Sequence, residues 1–414
     1  MYIRRNTHQK VSDHIVKPEY TIITGARQTG KTSLIRQLFD EFKQTNETSF
    51  FLTFENREIL SAINEHPENL FRYAIRPKDP FSGSSVGKPV LIFIDEIQYA
   101  DDPSNFLKYL YDTFQGNLKI VATGSSAFYL DSNFDDSLAG RKRLFTLRTL
   151  SFDEYLRFKN LENLGKELSF LRQQSDYISA AKIELLEHFN EYLVFGGYPK
   201  VCLEPDSNEK VELLKDLKNS FLKRDIDEAG VDNPESFYQL FTLLSAQVGN
   251  LLNKNELSNT LKIDNKTVDR YISILQKSFH ISLIRPFSTN LRKELTKMPK
   301  VFFHDLGMRN VMINRFFDFN QREDRGQMLE NYVFNRLSEL YDPDDLRFWR
   351  TQDKKEMDFV ITTSFGQGLA FEVKMDCPLK LPGSVAAFQE NYPTYAFEML
   401  TYNFENGCRQ VLKI

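Results

Sequence analysis

The sequence predicts an α/β chain: a parallel sheet covered by helices, then a helical stretch, a helix-turn-helix segment and a second α/β unit. Three observations carry this. Short apolar runs separated by helical segments recur through residues 1–150, at Tyr20 to Ile23, Phe50 to Phe54, Leu91 to Asp95, Lys119 to Thr123 and Leu144 to Leu147. That alternation is the rhythm of parallel strands joined by crossover helices. Residues 25–32 read Gly-Ala-Arg-Gln-Thr-Gly-Lys-Thr, a complete GxxxxGK[ST] loop set between the first apolar run and a helical pattern from Ser33 to Phe42. Near the carboxy terminus, Glu356 to Ile361 and Leu369 to Lys374 read as two short strands joined by the loop Thr362 to Gly368.

The loop carries its own chemistry. A triphosphate needs a concave nest of backbone N–H groups, and Gly25 and Gly30 let the chain fold tightly enough for the amides from Ala26 through Thr29 to point inward. The helix opening at Lys31, Thr32 and Ser33 adds its positive dipole end beneath the phosphates. Bound ATP would place its β- and γ-phosphates at Lys31, with Mg²⁺ held by Thr32. Arg27 either contacts phosphate or packs outside the loop, and Gln28 lies beside it. The apolar run Val90 to Ile94 ends in Asp95-Glu96, the pattern expected of a carboxylate in the Mg²⁺ shell followed by one that orients or activates the attacking water. A further strand, Leu118 to Ser126, ends in small polar residues, of which Ser125 is assigned the contact to the γ-phosphate or the lytic water.

Composition bounds the remaining classes. A length of 414 residues fits two to four domains, and 41% hydrophobic content suffices for several cores. A net charge of −4 excludes a general nucleic-acid coat protein, so any DNA contact is a local patch. Cys202, Cys377 and Cys408 are far apart with no CxxC pair, which predicts neither a disulfide framework nor a zinc site. The first residues lack the apolar core of a signal peptide, and no stretch approaches a membrane span. A cytoplasmic protein is expected.

The middle of the chain divides by pattern. Residues 151–232 are helical around the turn Gly196-Gly197-Tyr198-Pro199 and read as a helical lid. Residues 233–312 read as a winged helix-turn-helix: Leu257, Leu261, Ile263, Val268, Ile272 and Leu275 have the spacing that packs short helices together. The second helix would present Asn265, Lys266, Asp269 and Arg270. Over 281–310, Arg285, Arg292, Lys293, Lys297, Lys300 and Arg309 face Glu294 and Asp305, so 6 − 2 = +4 in a wing-like hairpin suited to DNA phosphates. Asp269 is unhelpful for DNA, and a protein interface is the alternative.

Residues 313–414 hold a second constellation. Side chains two apart share a strand face, so Glu372 and Lys374 point together, and a turn near Phe365 or Gly366 brings Asp358 opposite them. Carboxylates to hold Mg²⁺ and a lysine to polarise water are what metal-dependent phosphodiester cleavage needs. Glu330, on a helical stretch upstream, would complete the metal shell with Asp358 and Glu372. The same pattern also arises on a solvated strand face with a cross-strand ion pair.

The strings TGARQTGKTSL, LIFIDEIQ, TGSS and LAGRKRLFTLRTLSFDEYL, continued by FGGYPKV, FLKRDI, FFHDLGMRN and MDFV…FEVK, resemble the AAA-type ATPases of bacteria and archaea that carry a carboxy-terminal domain of unknown function. The resemblance implies an AAA-type αβα sandwich with an extra strand between the loop strand and the acidic strand. It also implies a restriction-endonuclease-like domain whose D…ExK residues are Asp358, Glu372 and Lys374, either a nuclease or a catalytically silent binding module regulated by ATP. Arg141 resembles an arginine finger reaching the γ-phosphate of a neighbouring copy in a homo-oligomer; pairing with Asp135 or Asp136 is the structural alternative.

Overall fold

The computed structural model describes residues 2–78, 88–124, 138–174, 177–288, 294, 297–403 and 408–414. Two compact units divide the chain, one built from 1–150 with 277–279 and the other from 151–276 with 280–414. The expected loop at 82–87, and with it Ser125, Asp135, Asp136, Arg292 and Lys293, lies outside the described residues.

The first unit is organised on five parallel strands, β1 (Tyr20–Thr24), β2 (Ser49–Thr53), β3 (Val90–Asp95), β4 (Leu118–Gly124) and β5 (Lys142–Thr146), in the order β2-β3-β4-β1-β5. β4 therefore separates the loop strand from the acidic strand, as expected. Central strands covered on both faces need apolar side chains at every position rather than at alternate ones. Ile22, Ile92 and Ile120 pack into one core with Leu107 and Leu110, while Ile23, Phe93 and Val121, one residue on, pack into the opposite core with Leu34, Ile35 and Leu38. The last three come from the helix Lys31–Lys43, whose buried stripe follows helical spacing.

The second unit opens with the helices Phe152–Phe158, Glu162–Gln173, Lys182–Phe195, Pro199–Leu203 and Ser207–Glu228. Ser151 and Glu154 form a capping box that satisfies amides at the start of the first of them. The helices Pro234–Ala246, Lys254–Leu261 and Asn265–Lys277 follow, then the antiparallel pair β6 (Ile281–Pro286) and β7 (Lys300–Phe303). The later strands are β8 (Leu346–Arg350), β9 (Glu356–Ser364), β10 (Gln367–Lys374), β11 (Tyr395–Thr401) and β12 (Arg409–Gln410). They join one sheet with the earlier pair, in the order β12-β11-β10-β9-β8-β6-β7. The parallel register Arg285↔Arg347 and Pro286↔Phe348 makes β6 and β8 neighbours, so the segments 233–312 and 313–414, expected as successive domains, share a sheet.

A buried joint explains two of the sequence strings. Gly196 ends its helix at φ 77, ψ −165, and a Cβ there would lie 2.3 Å from Asp305 Oδ1. Asp305 accepts from Gly197 N at 2.8 Å and, at the start of the helix Leu306–Met312, from Met308 N at 2.8 Å. Arg309 is buried beneath it, donating to Ser245 O and pairing with Asp324, which also pairs Arg322. Asn310 donates to Val194 O at 2.8 Å. These contacts tie the 151–228 helices to the rest of the unit, so FGGYPKV and FFHDLGMRN serve packing.

One expectation from the cysteines is corrected. Cys377 and Cys408 are disulfide-bonded, with Cα atoms 5.9 Å apart. Cys377 follows β10 and Cys408 precedes β12, and the parallel pairings β10–β11 and β11–β12 draw these ends together; linear spacing does not show it. Cys202 is buried and free. Among the described residues no helix is long and apolar enough to cross a membrane.

Candidate nucleotide site and carboxylate cluster

The nucleotide loop leaves β1 through Gly25 at φ 145, where a Cβ would stand 2.1 Å from the Leu147 carbonyl oxygen. Only glycine fits there. Gln28 and Gly30 also take positive φ, at 60° and 96°, and Gly30 delivers the chain into the helix Lys31–Lys43. Thr29 Oγ1 donates to Ala26 O at 2.9 Å, bracing the bend. Lys31 is buried, and its Nζ donates to Gly25 O at 2.9 Å and Ala26 O at 2.8 Å, which holds the ammonium inside the curl of the loop. Arg27 is half-buried.

A residue that the sequence did not reveal secures this loop. Arg5 is buried, donating to Thr29 O at 2.7 Å and to Arg148 O at 2.8 Å, so it ties the loop to the chain that follows β5. No local pattern marks an arginine 24 residues upstream as a strut for this carbonyl.

At the end of β3, Asp95 Oδ1 accepts from Thr32 Oγ1 at 3.1 Å and from Thr123 Oγ1 at 2.5 Å. Thr123 in turn accepts from Glu96 N at 3.0 Å, with Glu96 in the left-handed region at φ 59. Gln98 donates to the Glu96 carboxylate. Thr123 thus fixes both acids, a role that the small polar end of the strand does not by itself assign to Thr123 over Ser125. The Thr32 hydroxyl and Asp95 carboxylate are hard oxygen donors side by side. They fit Mg²⁺, which takes one or two protein ligands and completes its shell with phosphate and water.

Arg141 donates to Asp112 at 2.7 and 3.2 Å, while Asp135 and Asp136 lie outside the described residues. Its carbonyl accepts from Tyr20 N at 2.8 Å, and the register Tyr20↔Lys142 through Thr24↔Thr146 sets it at the opposite end of β1 from the loop. Four residues of strand place it about 13 Å away along the sheet.

In the second unit, Phe359 pairs Phe371, Val373 N donates to Asp358 Oδ2 at 2.8 Å and the turn passes through Gly366 at φ 73, so Asp358 does meet Glu372 as the alternation required. Lys374 Nζ lies 2.7 Å from Glu372 Oε1, while the buried Glu372 Oε2 has no hydrogen-bond partner. Glu330, on the helix Arg325–Leu340, joins the group, and so does an unforeseen residue. Lys300 of β7, 2% exposed, sets its Nζ 2.9 Å from Glu330 Oε1, 2.5 Å from Glu356 Oε1 and 3.8 Å from Asp358 Oδ1. Arg350 holds the other Glu356 oxygen at 2.6 Å.

Burial pushes the Glu372 carboxyl up to about 7, with Asp358 adding to the effect and Lys374 opposing it. Burial likewise raises Glu330 and Asp358. For Lys300 burial works against the charge, but Glu330, Asp358 and Glu356 outweigh it and hold the ammonium above the ordinary lysine value. Among the described residues no group of three or more carboxylate, imidazole or thiol side chains is arranged to hold a metal ion. The Lys300 ammonium stands between Glu330 and Asp358, and Lys374 takes one oxygen of Glu372.

The same burial corrects the charge of the wing. Lys300 and Arg309 face inward, leaving Arg285 and Lys297 as the exposed described cations of 281–310. These two line a cleft of about 1010 Å³ with Lys254, Asp269, Asp344 and Arg347. Asp269 is paired by Lys254, Arg270 by Asp232 and Asn265 by Asn255, while Lys266 is exposed.

Three family models match successive stretches of the chain. Residues 17–156 match the family model of an AAA domain, and 186–318 and 325–404 match two domains of unknown function, DUF8612 and DUF4143. An uncharacterized protein of Methanocaldococcus jannaschii is 27% identical over 354 residues, covering 84% of this chain and 73% of its own. One from Haemophilus influenzae is 27% identical over 349 residues, covering 82% and 78%. Among solved structures, Cdc6p from Pyrobaculum aerophilum aligns with a TM-score of 0.31 and 13% identity over 76% of this chain and 95% of its own. AMPPCP-bound DnaA from Aquifex aeolicus aligns with a TM-score of 0.31 and 16% identity over 66% and 89%. The match over residues 17–156 and the geometry of the phosphate loop together support a nucleotide-binding, AAA-type ATPase domain in the first unit.

Proposed function

We propose that the chain is an ATP-hydrolysing switch that acts on DNA through its second unit and does not cut it. The observation that carries the reading is the set of oxygens from Thr32, Asp95 and Thr123 gathered beside an intact phosphate loop. Lys31 exchanges the Gly25 and Ala26 carbonyls for β- and γ-phosphate oxygens, a stronger charge-assisted contact. Thr32 and Asp95 would hold Mg²⁺, which would supply neutralisation of the phosphate charge. Glu96 orients the attacking water, with its backbone fixed through Thr123 and its carboxylate steadied by Gln98. Arg141 is too far from its own loop to reach phosphate, so a finger role requires a neighbouring copy and release from Asp112.

DNA action rests on the helices Lys254–Leu261 and Asn265–Lys277 with the β6–β7 hairpin, to which Leu251 adds an antiparallel bridge at Lys300. This is the element order of a winged helix, and Lys266, Arg285 and Lys297 are among its exposed described cations. A protein-binding face is the second reading, favoured by the internal pairing of Asn265, Asp269 and Arg270. The test is phosphate release from ATP with and without duplex or single-stranded DNA. Lys31→Ala should abolish nucleotide binding, and Glu96→Gln should keep binding and lose turnover. Hydrolysis at the parent rate in both variants rejects the assigned site.

A further inference from the structure

We propose that Lys300 is a built-in cation of the carboxy-terminal acid cluster, standing where a divalent metal ion would be needed and making the cluster a fixed structural lock instead of a cleavage centre. The inference deepens the reading of a second unit that does not cut, and it rests on the cluster's geometry alone.

Four carboxylates converge there: Glu330 from the helix Arg325–Leu340, Glu356 and Asp358 from β9, and Glu372 from β10. Three cations face them. Lys374 pairs Glu372 near the surface, and Arg350 pairs Glu356 from β8. Lys300 sits deepest, within 4 Å of three of the four acids. A hard divalent ion binds through short contacts to several oxygens at once, and the ammonium already claims one oxygen each of Glu330 and Glu356 while facing Asp358. Placing a second cation beside it would set like charges against each other in a region shielded from water. Lys300 is also held by its own backbone: β7 pairs β6, and the Leu251 bridge flanks it on the other side. The D…ExK spacing can therefore persist because it anchors β7, β9, β10 and the helix to one point, since a buried charge cluster is sound only when its members are paired.

The test is Mn²⁺ binding to the nucleotide-free full-length protein, followed by calorimetry and by melting temperature, in the parent, Lys300→Met, Lys300→Arg and Lys300→Met/Asp358→Asn. The parent and Lys300→Arg should bind no Mn²⁺ in the cluster. Lys300→Met should gain one ion per chain. Saturating Mn²⁺, at roughly 100 times Kd, should raise its melting temperature by roughly 5–10 °C. The double variant should lose that gain. A parent that binds Mn²⁺ in a manner abolished by Asp358→Asn overturns the proposal, whatever the behaviour of the Lys300 variants. So does a Lys300→Met protein that neither binds Mn²⁺ nor folds better in its presence. A failure of the DNA reading shows up separately, as absence of DNA binding by the parent.

Discussion

At the scale of single residues, the nucleotide site is most sensitive where one atom does two jobs. The Thr123 hydroxyl donates to Asp95 and accepts from Glu96 N, so Thr123→Val keeps the shape of the side chain and removes both contacts. Outer partners of metal-binding carboxylates typically contribute about 10–100-fold, so steady-state ATPase turnover should fall by that factor while nucleotide affinity, set mainly by the loop, changes little. Parent-like turnover in Thr123→Val removes Thr123 from the site. His280 supplies a pH signature. Its ring lies 3.9 Å from the Phe221 ring, and burial pushes its pKa down from 6.5 to about 3. The unfolded chain takes up a proton below about 6.5 and the folded chain resists until about 3, so this stability is complete above 6.5 and is lost as pH falls through that window. The slope is up to about 1.4 kcal/mol per pH unit. Urea midpoints at pH 7 and pH 5 should fall less in His280→Phe than in the parent, and equal pH dependence refutes the assignment.

At the scale of elements, the turn Gly196-Gly197 shows how a local string depends on a distant partner. Gly196 occupies a backbone region open essentially to glycine, and a Cβ would also strike Asp305 Oδ1 at 2.3 Å. Gly196→Ala should cost about 1–3 kcal/mol or more, read as a lowered melting temperature of the second unit with ATP binding by the first unit retained. Unchanged melting rejects the clash. The comparison between sequence and structure is instructive at this level. The five parallel strands and the phosphate loop were legible because each run of apolar residues and each glycine reports its own local geometry. The β9–β10 pairing was legible because alternation fixes which side chains share a face. What stayed hidden were contacts that only long-range topology creates: Arg5 on Thr29, the Cys377–Cys408 bond and, above all, Lys300. In a linear reading Lys300 is one more cation of a basic hairpin. Its burial follows from β6 joining β8, a parallel pairing that no local periodicity announces.

At the scale of the whole molecule, inward turning of Lys300 and Arg309 makes the DNA reading quantitative. A net charge of −4 gives the chain no general attraction for nucleic acid, so affinity must come from a small set of exposed cations. Lys266 stands on the helix Asn265–Lys277, Arg285 on β6 and Lys297 just before β7, with the last two on the rim of the same cleft. Each phosphate neutralised by such a group contributes about 0.9 to the slope of log affinity against log salt. Replacing all three by alanine should therefore weaken DNA binding and flatten that slope by up to about 3, whereas Arg309→Met, which removes an internal charge, should leave the slope unchanged even though it destabilises the fold. The measurement is a fluorescence-anisotropy titration across a salt series, with ATP and with ADP. If the triple variant binds with the parent slope, the helix and hairpin form a protein-binding face instead. If the triple variant flattens the slope and the parent's affinity differs between ATP and ADP, nucleotide state controls the same surface that meets DNA, which is the coupling a switch requires.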